Sequence, residues 1–278
     1  RYLGVQIDDK LRFVRHAEAA AAKAARVAED LARLMPNVGG PRHDRRRLYN
    51  EVVHSVLLYG APIWAQAMNI KKARLSLARV QRRSLLRVAS AYRTVSEDAV
   101  LALCGTPPLD LLAFERQAIY NGCEKEDARA ATMAEWQRRW DESTKGRWTH
   151  RLIGDLSAWV GRKHGELSYH LTQGMTGHGC FGTYLKRIGK AMSAECLYCD
   201  AGEDDDAEHT LFRCSSWAAA RTTLERTIGM SATADTMVQS MLMDQSSYKA
   251  WTDFVSAVMR EKEKIQRQRG PNGTESQY

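Results

Sequence analysis

Cys196-x2-Cys199, followed nine residues later by His209-x4-Cys214, constrains this chain more than any other feature. The spacing sets two soft thiolates on a tight turn and an imidazole and third thiolate on a following turn or helix, a donor set suited to tetrahedral zinc. Four protein ligands leave no open coordination position, so the predicted role is structural. A closed site cannot bind and activate water, whereas metal binding supplies folding energy to a segment otherwise rich in Asp and Glu. The expected ligands are Cys196, Cys199, His209 and Cys214, with His178 or Cys180 just upstream as the alternatives for one position. Between the ligand pairs, Glu203-Asp204-Asp205-Asp206 reads as a solvated loop, with a second metal site as the alternative.

Three of the six cysteines fall in that window, which is not the pattern of a secreted disulfide scaffold. The longest uncharged stretch, Val52 to Ile70, is interrupted by His54, Ser55, Gly60, Pro62, Gln66 and Asn69, so no membrane segment is expected. Charge is distributed unevenly. Residues 1–120 hold 20 basic and 11 acidic side chains, while 121–278 hold 21 and 22. An excess of Arg confined to one half is an argument about a polyanionic partner, and nucleic acid leads. The chain opens at Arg1 with Tyr2-Leu3-Gly4-Val5 and no initiator Met, and reads as cut from something longer.

Periodicity predicts a mainly α fold. After a short strand and an Asp8-Asp9 turn, a helix is expected from about Val14 to Met35 with Val27, Leu31 and Leu34 inward. A second, capped by Asp44, runs from Arg45 to about Tyr59 and buries Leu48, Tyr49, Val52, Val53 and Val56. The third, about Lys71 to Ala91, carries seven cations. Thr94-Val95-Ser96-Glu97 has capping-box spacing for a short helix to Leu103. One long helix is expected from Asp110 into the 140s, with Leu112, Ile119, Cys123, Met133, Trp136 and Trp140 on core spacings. A Gly- and His-rich, turn-rich segment leads from Trp148 into the cysteine window. Helices follow at about 217–228 and 247–268, then a tail over 270–278 expected to be disordered.

Several pieces stand in order along the chain: Tyr2-Leu3-Gly4-Val5, Leu58-Tyr59-Gly60-Ala61-Pro62-Ile63-Trp64, Gln81-Arg82-Arg83, Tyr92-Arg93-Thr94-Val95-Ser96, Gly105-Thr106-Pro107-Pro108-Leu109, Leu171-Thr172-Gln173 with Gly177-His178-Gly179, and Ala207 to Phe212 closing on Cys214. Together they resemble the C-terminal part of the reverse transcriptase/endonuclease Pol polyprotein of type-1, non-LTR retrotransposable elements. The resemblance spans about 2–217. It implies that Tyr2 to Ile7 is the strand at a polymerase palm–thumb junction. On that basis residues 1–105 are the end of the palm and the thumb, 106–147 a helical connector, and 148–269 a nucleic-acid-binding region with a CCHC zinc knuckle at 196–214.

By the same resemblance the partners are element RNA and target DNA or a primer–template duplex, together with the missing N-terminal polymerase and endonuclease portions. The process is target-primed reverse transcription, in the nucleus at the site of integration. A thumb grips phosphates without reading bases, work suited to Arg79, Arg82, Arg83, Arg87 and Arg93, whose alternative is a solvated basic face. Tyr198 and Phe212 beside the ligands are candidates for base stacking, with plain packing the alternative. The family's polymerase chemistry uses two magnesium ions held by clustered carboxylates. The aromatic-x-Asp-Asp box is missing from this sequence, Asp8-Asp9 reads as a turn, and no nuclease constellation is evident, so no catalytic residue is named. Two other readings compete: a stand-alone helical zinc-knuckle RNA/DNA-binding protein with no enzymatic role, and a small metal hydrolase built on Glu203 to Asp206 with His209.

Overall fold

The computed structural model describes residues 2–268, and the tail expected over 270–278 lies outside them. Two compact units emerge. One comprises the chain up to Ala91 with Val100–Thr144, the other Tyr92–Ala99 with the chain from Lys145 onward.

The first unit is a helical bundle of α1 (Val14–Ala32), α2 (His43–Leu57), α3 (Ala61–Trp64), α4 (Lys71–Val88), most of α5 (Glu97–Cys104), α6 (Leu109–Tyr120) and α7 (Lys125–Glu142). Its core joins α1, α2, α4 and α6 around Leu57, Trp64, Met68 and Leu77, all nearly solvent-free. The buried stripe of α1 is Ala17, Ala21, Ala24 and Ala28, at helical spacing. Val27 and Leu31 are only half-buried and Leu34 is exposed, so the expected stripe is displaced. Small side chains let α1 approach α4 closely.

The buried face of α2 also differs from expectation. Leu48 and Val52 face solvent, while His43, Arg46, Asn50, Val53, His54 and Leu57 face inward. Polar bonds turn the helix this way. The Arg46 guanidinium donates to the carbonyls of Pro36 (2.6 Å), Pro41 (2.8 Å) and Arg87 (2.9 Å), and Ser84 donates to Asn50 at 2.8 Å. Asp44 lies within the first turn, with Arg42 at the cap position, so the predicted Asp44 cap is not formed.

Three further expectations are corrected. The N-terminal strand is a tight turn: Tyr2 and Val5 exchange two backbone bonds of 2.9 Å around Leu3 and Gly4, both at positive φ. The long helix from Asp110 is two helices, because Asn121-Gly122 closes α6 and Gly122 sits at φ 96°, a conformation that favours glycine. At the start of α5 the hydroxyl that accepts an amide is Ser96, from Ala99 at 3.3 Å, while Thr94 bonds the Tyr184 hydroxyl at 2.8 Å. Asp8 is occupied as a turn residue: its carboxylate accepts the amides of Arg12, Phe13 and Lys10, and the Arg12 amide leads in holding its pKa below the ordinary value.

The second unit contains α8 (Arg147–Leu152), α9 (Leu156–Gly161), α10 (Tyr169–Thr176), α11 (Gly182–Arg187), α12 (Ala218–Ile228), α13 (Ala234–Met243) and α14 (Gln245–Gln268). Helix α14 is its spine, packed by α10, α12 and α13. Among its buried residues Trp251, Val255, Val258 and Lys262 recur at i, i+4, i+7 and i+11, one continuous face. No strand longer than an isolated bridge occurs among the described residues, and none of their helices is long and apolar enough to cross a membrane.

Candidate metal centre

A short antiparallel pairing builds the entry to the cysteine window. Cys196 donates to the Glu203 carbonyl at 2.8 Å and Asp205 to the Ala194 carbonyl at 2.7 Å, around an isolated bridge of Glu195 with Asp204. Cys196 and Cys199 lie on the turn inside this ribbon. Asp206 then starts the next helical turn, its carboxylate accepting the His209 amide at 2.7 Å. From His209 to Arg213 the chain widens into a π-turn, and Cys214 donates to the His209 carbonyl at 2.7 Å. In an α-helix two positions five apart point about 140° away from each other. The wider turn reduces that angle and brings His209 and Cys214 to one side.

The four predicted ligands therefore converge. Their donor atoms all lie within 4.8 Å of one another. Cys196 Sγ is 3.9 Å from Cys214 Sγ, and Cys199 Sγ is 3.4 Å from His209 Nε2. A tetrahedron with metal–sulfur and metal–nitrogen bonds of ordinary zinc length has edges of about 3.8 Å between sulfurs and about 3.6 Å from sulfur to nitrogen. The 3.9 and 3.4 Å spacings fit that figure, and the quartet could hold a metal ion.

Protonation favours the same use. The Nδ1 of His209 donates to the Glu203 carboxylate at 3.0 Å, which leaves Nε2 as the lone pair facing the thiols. Arg213 reaches the same carboxylate at 3.0 Å, and the His209 bond leads in lowering the Glu203 pKa. Burial pushes the Cys196 thiol up to about 12 and raises that of Cys214, whereas the Ala201 amide leads in holding Cys199 down at about 7. Two buried thiols that resist ionisation alone are the groups a dication deprotonates on binding.

The surroundings lock this arrangement. Ser216 donates to the Tyr198 carbonyl and Arg221 to the Cys214 carbonyl at 3.0 Å. Asp205 lies inside: it accepts from Thr210 Oγ1 at 2.6 Å, from the Gly182 amide at 2.9 Å and from Lys262 Nζ, whose side chain has no exposed surface. The expected solvated loop thus holds for Asp204 but fails for Asp205, and Glu203 has a partner in the imidazole. Spacing alone does not single out Glu203, Asp205 or Lys262 for these roles. The sequence signal for Lys262 is its register with Trp251, Val255 and Val258. Cys180 lies outside the quartet, with its thiol donating to Gln266 at 2.9 Å, and His178 bonds Thr176 and Arg187.

Tyr198 lies tilted against Trp217 at 5.5 Å between centroids and faces the Lys262 ammonium at 4.9 Å. Phe212 meets Trp148 and Trp251 at 6.1 and 6.0 Å. Both rings are half-buried. The arginines belong to different units. Arg79, Arg83 and Arg87 fall on one exposed side of α4 at i, i+4 and i+8, with Arg83 paired to Glu29 at 2.6 Å. Arg82 is half-buried on α4, and the exposed Arg93 belongs to the second unit.

The chain is 25% identical over 295 residues to the Retrovirus-related Pol polyprotein from type-1 retrotransposable element R1 2 of Nasonia vitripennis, covering 96% of this chain and 70% of that protein. It is 30% identical over 247 residues to the Putative 115 kDa protein in type-1 retrotransposable element R1DM of Drosophila melanogaster. The chain is homologous to the Pol polyproteins of R1 type-1 retrotransposable elements. Another Nasonia vitripennis Pol polyprotein, from element R1 4, is 27% identical over 80% of this chain and 61% of its own length. The Drosophila match covers 80% of this chain but spans only 24% of that protein. No family model and no solved structure matches this Pol-like chain.

Proposed function

We propose that this chain is the nucleic-acid-gripping part of a type-1 retroelement Pol protein, combining a basic thumb-like bundle with a structural zinc knuckle. The convergence of Cys196, Cys199, His209 and Cys214 within 4.8 Å, in a chain homologous to Pol polyproteins, carries the reading. Zinc suits three sulfurs and one nitrogen with no open position, and its work is to hold the ribbon and the π-turn together. The exposed Arg79, Arg83 and Arg87 supply sequence-blind phosphate contacts, and Arg82 and Arg93 extend the basic set. Tyr198 and Phe212 belong to the knuckle's packing, with their partly exposed edges offered to bases.

In this reading the parent protein is an RNA-directed DNA polymerase with an endonuclease. Its magnesium ions and catalytic carboxylates lie outside this chain, and its work is target-primed reverse transcription on element RNA and target DNA in the nucleus. The test is fluorescence-anisotropy titration with a primer–template duplex and with single-stranded RNA, across a salt series, before and after zinc chelation. A steep salt slope that survives chelation assigns the grip to the basic helices, and loss on chelation assigns it to the knuckle or to the fold it supports. Absence of binding to both ligands with zinc present refutes the reading.

A further inference from the structure

Within the second unit lies a cavity of about 350 Å³, lined by Thr94, Ser96, Lys145, Thr176, His178 and Arg187 among others. That volume is at the low end of the roughly 300–1,000 Å³ of small-ligand pockets. Its described lining carries two full cations, Lys145 and Arg187, and no carboxylate.

Arg187 is held in place before any ligand arrives. His178 Nδ1 is 2.8 Å from the Thr176 carbonyl, so it carries the proton and donates; Nε2 is then the acceptor for the Arg187 guanidinium at 3.0 Å. A ring bonded this way is neutral, and its burial lowers its pKa accordingly. The guanidinium also lies over the Tyr184 ring, 5.1 Å from its centroid. A planar fork oriented by an imidazole and an aromatic face loses little freedom when it meets a tetrahedral oxyanion. Ser96 Oγ accepts from the Ala99 amide and keeps its own hydrogen to donate.

The backbone that presents His178 is equally specific. Gly177 ends α10 at φ 66°, and a Cβ on Gly179, at φ 144°, would come within 1.9 Å of Gln173 Oε1. The Gly177-His178-Gly179 run lies outside the metal quartet, and of its three residues His178 lines the cavity.

We propose that this cavity is a phosphate-binding site in which Arg187, oriented by His178, and Lys145 hold one phosphate group, either free or within a nucleic-acid strand. The inference stands on the cavity alone and survives even if the α4 arginines grip nothing.

The test is isothermal titration of the zinc-loaded full chain with inorganic phosphate, and separately with a thymidine dinucleotide with and without a 5′-phosphate. Binding is expected to weaken about tenfold or more in Arg187→Gln and in Lys145→Gln, the loss typical of one charge-assisted contact. Arg83→Gln on α4 is expected to leave it unchanged. Binding of inorganic phosphate that competes with the dinucleotide identifies the free group as sufficient. Binding of the dinucleotide alone, still sensitive to Arg187→Gln, identifies a strand phosphate. Lys145 lies outside the helices and is exposed, so its variant keeps the test valid if Arg187→Gln disturbs α11. Silence with every probe, or binding indifferent to both substitutions, overturns the proposal.

Discussion

The ammonium of Lys262, with no exposed surface, donates to the Asp205 carboxylate, tying helix α14 to the ribbon that carries Cys196 and Cys199. Thr210 Oγ1 accepts from the same ammonium at 2.9 Å, and the Phe181 and Tyr198 rings each lie 4.9 Å from it. Removing one member of such a pair leaves the other charged and buried, at a cost of about 3–5 kcal/mol. Lys262→Met is therefore expected to lower the denaturant midpoint sharply. Lys262→Met with Asp205→Asn should recover part of that loss in the same urea titration, because no orphaned charge is left inside.

Glu203 fixes the His209 ring from outside the quartet. Losing a carboxylate partner of a ligating imidazole typically weakens metal affinity by about 10–100-fold. Glu203→Gln is expected to fall in that range in a competition titration with a chromogenic chelator. Cys214→Ser should abolish stoichiometric zinc in elemental analysis and free the π-turn, seen as lost amide protection between His209 and Cys214.

His54 gives the first unit a pH dependence. Burial, with the Arg116 charge adding to it, pushes its pKa down to about 4, and its Nε2 finds no hydrogen-bond partner among the described residues. The unfolded chain then takes up the proton first. Stability is full above about 6.5 and falls as the pH drops toward 4, by up to about 3 kcal/mol. Urea titrations between pH 7 and 4 should show this fall, and His54→Met should flatten that part of the profile.

Charge removal on α4 tests the phosphate grip of the thumb reading. With Arg79, Arg83 and Arg87 all changed to Gln, the slope of log affinity against log salt should decrease by roughly 0.9 for each phosphate of duplex DNA that those side chains had neutralised. An unchanged slope would identify that exposed face as solvated and idle.

The clustering of Cys196, Cys199, His209 and Cys214 and most long helices could be read from residue spacing, because short-range patterns encode them. Three thiols and an imidazole at fixed intervals admit few geometries, and the apolar periods of α2, α4, α12 and α14 announce helices wherever they pack. The break between α6 and α7 is also written locally, in Asn121-Gly122, a turn dipeptide masked by the apolar spacing on either side.

Which face of each helix turns inward is settled by partners distant along the chain. Arg46 is buried and Leu48 exposed because carbonyls at Pro36, Pro41 and Arg87 meet the guanidinium, and no window around α2 contains all of them. In the same way Asp205 is drawn inside by Lys262, 57 residues away, while its neighbour Asp204 stays in water. A buried polar group is stable only once its partner has been folded against it, so its burial belongs to long-range packing and not to local sequence.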